Sequence, residues 1–152
     1  MKKNICFVCW ANVCRSPMAE VIFQNELAQR NLTDRFEAFS AGIGEEKQGK
    51  PMDASAVKTL SEHGLEAPAR RAWVLSKQDY TRFDFFLCMD MEVLWTLKMR
   101  FSGDPEHKIG LLMAYTDTPR EVEDPYMTGR FEKVYEELNE GCQAFLNALL
   151  ES

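Results

Sequence analysis

The stretch VCWANVCRSPMAE, residues 8–20, joins an apolar run to the start of a helical pattern. The run from Asn4 to Cys9 is rich in Ile, Phe and Val, which is typical of a buried strand. A helix is predicted from Ser16 to about Asn31, because Ser16 can act as its N-cap and Pro17 suits the first helical position. The chain therefore passes from strand to helix through a short loop that carries two cysteines and an arginine.

Strand and helix patterns alternate along the rest of the chain. Further strands are predicted at residues 36–42, 84–89 and 109–113, and further helices at residues 53–63, 92–100 and from Phe131 to the end. This alternation predicts one α/β domain, residues 1–152, with an open parallel sheet that helices cover on both faces. Ligands of such sheets bind beyond the carboxyl ends of the strands, where the quoted loop lies.

Composition and charge narrow the functional classes. Hydrophobic residues make up 45% of the 152 residues, enough for one substantial core, and no apolar run approaches the ~18 residues of a membrane span. The net charge of −6 and the pI of about 5.0 do not favour nucleic acid or an anionic membrane as a partner. The N-terminus lacks a secretory signal, and five unevenly placed cysteines argue against a disulfide framework. A cytoplasmic location with reduced thiols is therefore predicted.

The loop has the features of an anion site with a nucleophile at its centre. Backbone N–H groups between a strand and a helix can converge on one point, and the helix N-terminus adds about half a positive charge. Arg15 offers a planar fork for two phosphate oxygens, and Asn12 tolerates the positive φ of a tight loop. Cations and helix N-termini lower the pKa of a cysteine, so Cys9 is predicted to be a thiolate aimed at phosphorus. Ser16 is predicted to donate a hydrogen bond to that sulfur.

Cleavage of a phosphate ester also needs a proton donor for the departing oxygen, and Asp124 in the sequence DPY is the candidate. Pro125 favours an extended conformation at Asp124, which would hold the carboxyl group on a stiff loop. Cys9, Arg15 and Asp124 together predict two-step hydrolysis of a phosphomonoester, with a rate optimum on the acid side of neutral.

Along nearly its whole length the sequence resembles the low-molecular-weight protein tyrosine phosphatases. The resemblance is carried by VCWANVCRSPMAE, SAG at residues 40–42, SEHGL around His63, FDFFLCMD up to Asp90 and DPY at Asp124. It implies a four-stranded parallel sheet, a phosphate-binding loop after the first strand, and hydrolysis through a phosphocysteine on Cys9. It also implies that Arg15 binds the phosphoryl oxygens and that Asp124 acts first as acid and then as base.

The resemblance implies further roles for residues around the nucleophile. Asn12, Ser40 and His63 would form a hydrogen-bond network that holds the loop in shape, and Cys14 would form a disulfide with Cys9 that protects it from further oxidation. Phosphate binding and loop support are expected from Trp10, Ala11, Asn12, Val13, Cys14, Ser16, Ser40 and His63. The expected enzyme uses no metal and no cofactor. It would act on phosphotyrosine proteins, a tyrosine kinase among them, as a monomer or weak dimer.

Three positions depart from the family pattern. Ala11 stands where the family usually has glycine, Glu46 lies near the place of an aromatic wall of the substrate cleft, and Met127 replaces a second tyrosine after DPY. We therefore expect Trp10 and Tyr126 to supply the aromatic walls of the cleft, with Glu46 beside them.

Other functions fit parts of the pattern. Cys6 and Cys9 form a CxxC pair, but Cys6 lies inside the apolar strand and no histidine has close ligand spacing, which disfavours a metal site. A thiol-coupled arsenate reductase on the same fold would need a relay of two more cysteines after the third strand, but position 95 is Trp and no cysteine follows Cys88 until Cys142. Phosphoarginine phosphatases have Thr before the second loop cysteine, where this chain has Val13. A module that binds phosphate without turnover would need no acid such as Asp124.

Overall fold

Four parallel strands form a single sheet. The computed structural model describes residues 1–152. The strands are β1 (Lys3–Cys9), β2 (Phe36–Gly42), β3 (Phe85–Cys88) and β4 (Ile109–Leu111), in the spatial order β2-β1-β3-β4. The α-helices are α1 (Arg15–Gln29), α2 (Ala54–Glu62), α3 (Met91–Arg100), α4 (Pro125–Thr128) and α5 (Phe131–Glu151). The α/β class and the four-stranded parallel sheet predicted from the sequence are confirmed.

Strand β1 lies inside the sheet and is buried on both faces. Its side chains alternate between two hydrophobic cores: Ile5, Phe7 and Cys9 belong to one, and Cys6 and Val8 to the other. The first core packs against α1, α2 and α5, and the second against α3 and the segment before β3. Helices therefore cover both faces of the sheet, as the alternation of strand and helix patterns predicted.

The last helix, α5, shows the helical apolar stripe that the sequence indicated. Val134, Leu138, Cys142 and Phe145 are buried on its inner face. This face contributes to the same core as α1 and α2, so α5 closes one side of the sheet. No helix of the chain, α5 included, combines the length and the apolar character needed to cross a membrane.

Strand β4 is shorter than the sequence predicted. It ends at Leu111 instead of Met113, because the chain turns there into a 3-10 helix, Leu112–Tyr115. Leu112 and Met113 remain buried in this helix, so their apolar character reflects contact with the core and not continuation of the strand.

A buried carboxylate anchors the loop before β4. Asp104 accepts hydrogen bonds from the hydroxyl of Tyr80 at 2.6 Å and from the backbone N–H groups of Lys108 at 2.8 Å and Ile109 at 3.0 Å. Tyr80 lies on a 3-10 helix, Lys77–Arg82, that apolar periodicity did not predict. Burial raises the pKa of Asp104, but these hydrogen bonds outweigh it and hold the pKa below its usual value. The folded protein therefore keeps this carboxylate charged at neutral pH.

We expect Asp104→Ala to lower the free energy of unfolding by about 2–4 kcal/mol, because it leaves buried donors without an acceptor. The measurement is urea unfolding at neutral pH, with Asp117→Ala, which changes an exposed aspartate, as the matched control. The pKa of Asp104 is lower in the folded than in the unfolded chain. Its contribution is therefore present above the unfolded pKa and is lost as the pH falls through the folded pKa. The gap between wild type and Asp104→Ala should then shrink in acid, whereas equal losses in both variants at neutral pH contradict the anchoring role.

Candidate active site

The loop from Trp10 to Cys14 wraps around the sulfur of Cys9. The backbone N–H groups of Asn12 and Ser16 point at Sγ from 3.3 and 3.4 Å. Asn12 has a φ of 60°, the left-handed conformation that asparagine tolerates. Cys9 is 3% exposed, at the carboxyl end of β1. The loop therefore directs N–H dipoles and the start of α1 to one point, which suits a phosphoryl group.

Ser16 lies inside α1 and is not its N-cap. The N-cap residue is Cys14, whose side chain makes no capping hydrogen bond, and the helix begins at Arg15. The Ser16 hydroxyl lies 2.9 Å from Cys9 Sγ and accepts a hydrogen bond from the side-chain amide of Asn12 at 2.8 Å. The predicted capping role is wrong, because this hydroxyl faces the nucleophile and not the N–H groups of its own helix.

Arg15 is held by a carboxylate that follows β3. Its Nη1 donates to Asp90 at 2.8 Å and to the backbone carbonyl of Val122 at 2.8 Å. Asp90 also caps α3 by accepting from the N–H of Val93 at 2.9 Å. Burial lowers the pKa of Arg15, but the negative charges of Cys9 and Asp90 outweigh burial and raise it. The guanidinium is therefore a permanent cation whose orientation Asp90 fixes.

The side chain of Asn12 connects the loop to β2. Its Nδ2 donates to the hydroxyls of Ser16 at 2.8 Å and Ser40 at 3.1 Å, and the Ser40 hydroxyl donates to Glu20 at 2.6 Å. Its Oδ1 accepts from the backbone N–H of Trp73 at 3.2 Å. Asn12 and Ser40 are thus in direct contact, and the contact continues to a carboxylate on α1.

His63 is not part of this network. It is the C-cap of α2, where its Nε2 lies 2.9 Å from the carboxylate of Glu132 and its ring stacks on Tyr135 with centroids 3.7 Å apart. The role in loop support expected for His63 is wrong, because this side chain fastens the end of α2 to α5.

Arg70 takes the place in the network that was expected for a histidine. Its Nη1 donates to the backbone carbonyl of Asn12 at 3.1 Å, and its Nη2 donates to Asn12 Oδ1. Burial lowers the pKa of Arg70, and the negative charges of Glu20 and Cys9 oppose that shift. Burial likewise raises the pKa of Glu20, against the charge of Arg70. Arg70 therefore holds the loop by hydrogen bonds and adds a second cation near the nucleophile.

Two aromatic side chains line the cleft above Cys9. The cleft measures about 520 Å³, and Trp10, Asp124 and Tyr126 line it together with the loop residues Ala11, Val13 and Cys14. Trp10 is half-buried and Tyr126 is 59% exposed. Aromatic surface is therefore available on the cleft walls although the loop after β2 supplies none.

Glu46 contacts Trp10 and is not among the residues that line the cleft. Its carboxylate accepts a hydrogen bond from Trp10 Nε1 at 3.2 Å. Gly44 leaves room for this contact, because a Cβ at Gly44 would overlap the indole nitrogen and the Glu46 carboxylate. The position in the cleft expected for Glu46 is therefore wrong; the side chain instead holds the Trp10 ring.

Asp124 lies at the N-cap of α4 and lines the same cleft as Cys9. Its backbone is extended, with φ −83° and ψ 109°, as expected for a residue before proline. Its carboxylate accepts from the N–H of Tyr126 at 3.0 Å, which limits the directions that the side chain can take. The fold therefore brings a carboxyl group to the nucleophile from a distant part of the chain.

Cys14 is a buried free thiol in the lining of the cleft. Burial, together with the negative charges of Asp53 and Cys9, raises the pKa of Cys14 far above its usual value. Cys14 is therefore protonated at neutral pH and does not compete with Cys9 as a nucleophile. The disulfide between the two stays a prediction.

Known proteins match the chain over nearly its full length. The model of the family described as low molecular weight phosphotyrosine protein phosphatase matches residues 4–152. The chain belongs to this family. It is 34% identical to the low molecular weight protein-tyrosine-phosphatase YfkJ of Bacillus subtilis over 148 residues, which cover 96% of this chain and 95% of that protein. It is 35% identical to the low molecular weight phosphotyrosine protein phosphatase of Sus scrofa over 150 residues, which cover 95% and 94%.

Solved structures agree with this phosphatase assignment. The crystal structure of YfkJ from Bacillus subtilis is similar with a TM-score of 0.94 at 33% identity, covering 99% of this chain and 96% of that chain. The structure of a Drosophila arginine phosphatase is similar with a TM-score of 0.88 at 34% identity, covering 98% of both chains. The family fold thus includes proteins named for two different phosphorylated side chains.

Sequence reasoning missed three residues of this phosphatase site. Asp90 had a usable signal, because it lies two residues after the buried strand β3, at the carboxyl ends of the strands where ligands bind. Glu20 and Arg70 had none, since a glutamate in a helix and an arginine in a polar loop are most often solvated. Only the fold shows that both turn toward Asn12 and Ser40.

Arg70→Met is expected to lower kcat/KM for para-nitrophenyl phosphate about 10- to 100-fold, because the loop around Cys9 loses hydrogen bonds that fix Asn12. The variant also loses a cation near the sulfur, so the anionic reagent iodoacetate should alkylate Cys9 more slowly at neutral pH than in wild type. The measurements are steady-state kinetics and the rate of alkylation at neutral pH.

Arg71→Met is the matched control for Arg70→Met, because the exposed neighbouring arginine donates to the carbonyl of Gly49 and not to the loop. It should behave as wild type in both measurements. Equal losses in the two variants, or an unchanged alkylation rate in Arg70→Met, contradict the support role of Arg70.

Proposed function

We propose that the protein is a cysteine-dependent protein tyrosine phosphatase that hydrolyses phosphotyrosine and small aryl phosphates through a phosphocysteine intermediate. The observation that carries this proposal is the position of Cys9. The N–H groups of Asn12 in the loop and of Ser16 in α1 point at its sulfur, and Arg15 and Asp124 line the same cleft. Nucleophile, anion site and acid thus face one cavity, which is the arrangement that phosphomonoester cleavage needs.

In the first step the Cys9 thiolate attacks phosphorus and forms the S–P bond as the P–O bond to the aryl group breaks. The N–H groups of the loop and the Arg15 guanidinium stabilise the charge on the oxygens that do not leave. Asp124 gives its proton to the departing phenolate, so the leaving group departs as a neutral phenol.

In the second step water attacks the phosphocysteine and the S–P bond breaks. The Asp124 carboxylate accepts the proton of that water, and inorganic phosphate is released. The sulfur leaves with the electron pair as a thiolate, and the Ser16 hydroxyl, 2.9 Å from Sγ, donates a hydrogen bond to it. Asp124 and Cys9 return to their starting protonation states.

Phosphoarginine is the second candidate substrate, and the similarity to the Drosophila arginine phosphatase favours it. Val13 argues against it, because phosphoarginine phosphatases have Thr at that position. The aromatic surfaces of Trp10 and Tyr126 also suit a phenyl ring better than a flexible guanidino side chain.

The arsenate reductase alternative lacks the thiols that it requires. Beyond Cys9 and Cys14, the cysteines are Cys6, Cys88 and Cys142, all three buried inside the core. Burial raises the pKa of these thiols well above the usual value, so they do not form a relay of nucleophiles.

We propose a cytoplasmic location and a phosphotyrosine protein, such as a tyrosine kinase, as the substrate, with a monomer or weak dimer as the active form. The absence of any disulfide among the five cysteines suits a reducing compartment. Cell fractionation tests the location, and size-exclusion chromatography of the purified protein tests the oligomeric state. A secreted protein with paired cysteines would contradict the location.

An assay with para-nitrophenyl phosphate tests the proposed chemistry. Cys9→Ser should show no turnover, because the phosphocysteine cannot form. Asp124→Asn should reduce kcat about 100- to 10,000-fold, because the leaving group loses its acid. Wild type should have its optimum on the acid side of neutral, and the decline toward high pH should disappear in Asp124→Asn. Turnover by Cys9→Ser would contradict the mechanism. Faster hydrolysis of phosphoarginine than of phosphotyrosine would favour phosphoarginine as the substrate.

Trp10→Ala is expected to raise KM for aryl phosphates about 3- to 10-fold, because the aryl ring loses an aromatic wall of the cleft. Steady-state kinetics with para-nitrophenyl phosphate measures the change. Trp95→Ala is the control, because Trp95 is 58% exposed on α3 and does not line the cleft. An unchanged KM in Trp10→Ala would show that the indole is not a wall of the substrate site.

A further inference from the structure

The mouth of the cleft carries opposite charges on its two sides. Lys47 lines it from the loop after β2, and Glu92 lines it from the first turn of α3, which follows β3. In the sheet, β2 and β3 lie on opposite sides of β1, whose last residue is Cys9. The ammonium and the carboxylate therefore flank the nucleophile.

Lys47 has no carboxylate partner within the protein. None of the ion pairs of the structure includes it. Its neighbours Glu46 and Gln48 are exposed, whereas Lys47 is half-buried and its ammonium lies 5.4 Å from the ring centroid of Tyr126. The cation is therefore held at the cleft wall, with its charge available to a ligand.

Of the carboxylates that line the cleft, Glu92 is the one without a partner in the protein. It is exposed, and no ion pair includes it. Asp90 pairs with Arg15, and Asp124 accepts from the N–H of Tyr126. On the other side, Glu46 directs its carboxylate to Trp10 and away from the cleft. The charges that a bound polypeptide meets first are thus Lys47 and Glu92.

We propose that Lys47 and Glu92 set the direction in which a phosphotyrosine segment of a protein substrate lies across the cleft. An acidic residue of the segment lies on the Lys47 side, and a basic residue lies on the Glu92 side. This inference rests on the proposed function, since it concerns the polypeptide that carries the phosphotyrosine. An extended peptide advances about 3.3 Å per residue, so side chains within a few positions of the phosphotyrosine reach both sides of the mouth. The net charge of −6 disfavours acidic partners in general, and Lys47 provides a local exception.

Two phosphotyrosine peptides of identical composition test the proposal. One has Glu before and Lys after the phosphotyrosine, and the other has the two exchanged; a third peptide with Ala at both positions is neutral. Wild type should favour one of the two charged peptides in kcat/KM by about 2- to 10-fold, the size expected for exposed ion pairs. Salt at about 0.5 M should reduce that ratio, because it screens exposed charges.

The charge-exchanged double variant Lys47→Glu/Glu92→Lys is the decisive protein. It should favour the other charged peptide, and each single variant should lower the wild-type ratio. Each ratio is taken within one variant, so a general loss of activity cancels. Lys3→Glu makes the same charge change at the amino end of β1, the opposite edge of the sheet, and should keep the wild-type ratio.

Equal kcat/KM for the two charged peptides in wild type overturns the proposal, and so does a double variant that keeps the wild-type preference. Both results leave the phosphatase assignment intact, because the neutral peptide is still hydrolysed. Failure of wild type to hydrolyse the neutral peptide, by contrast, overturns the proposed function and this inference with it.

Discussion

The buried side-chain amide of Asn12 is the contact on which the shape of the site depends. An asparagine amide has two N–H donors and an oxygen that accepts two hydrogen bonds. Here Nδ2 donates to Ser16 and Ser40, and Oδ1 accepts from Arg70 and from the N–H of Trp73. Loss of one partner would leave a buried polar group unpaired at a cost of about 1–3 kcal/mol. The left-handed turn at Asn12, and with it the N–H that points at Cys9, is therefore fixed from several directions at once.

Orientation matters more than net charge in this site. The protein carries a charge of −6, yet a phosphate has to enter. Arg15 is paired with Asp90 at 2.8 Å, and Arg70 lies in the field of Glu20, so both guanidinium charges are partly compensated. Buried ion pairs add little net attraction, because desolvation offsets most of the Coulomb energy. Their contribution is to fix the direction of the N–H groups. The aligned dipoles of the loop and of α1 then form an anion site that is already oriented before the phosphate binds and does not have to reorganise.

The parts of the structure that were predictable from the sequence are those that depend on short stretches of chain. The buried composition of β1 and the spacing from Cys9 to Arg15 are local, and a parallel sheet necessarily places the loops after its strands on one edge. His63 and Arg70 show where this reasoning ends. His63 caps α2 and Arg70 lies in the loop that follows it, and no local pattern indicates which of them turns toward the nucleophile loop. Tertiary packing decides this: the His63 ring stacks on Tyr135 of α5, and Arg70 donates to Asn12.

The loop around Cys9 keeps its shape although the residues after β2 differ from the family pattern, because the two depend on different contacts. The loop after β2 is fastened to the nucleophile loop by its backbone: the carbonyl of Trp10 accepts from the N–H groups of Ile43 and Gly44 at 3.0 and 2.9 Å. These bonds do not depend on the side chains that follow. Residues 45–48 can therefore change what the cleft admits without moving Cys9. Because Glu46 holds the Trp10 ring and Lys47 covers Tyr126, substitutions in this segment act on the walls, while the network of Asn12 keeps the chemistry unchanged.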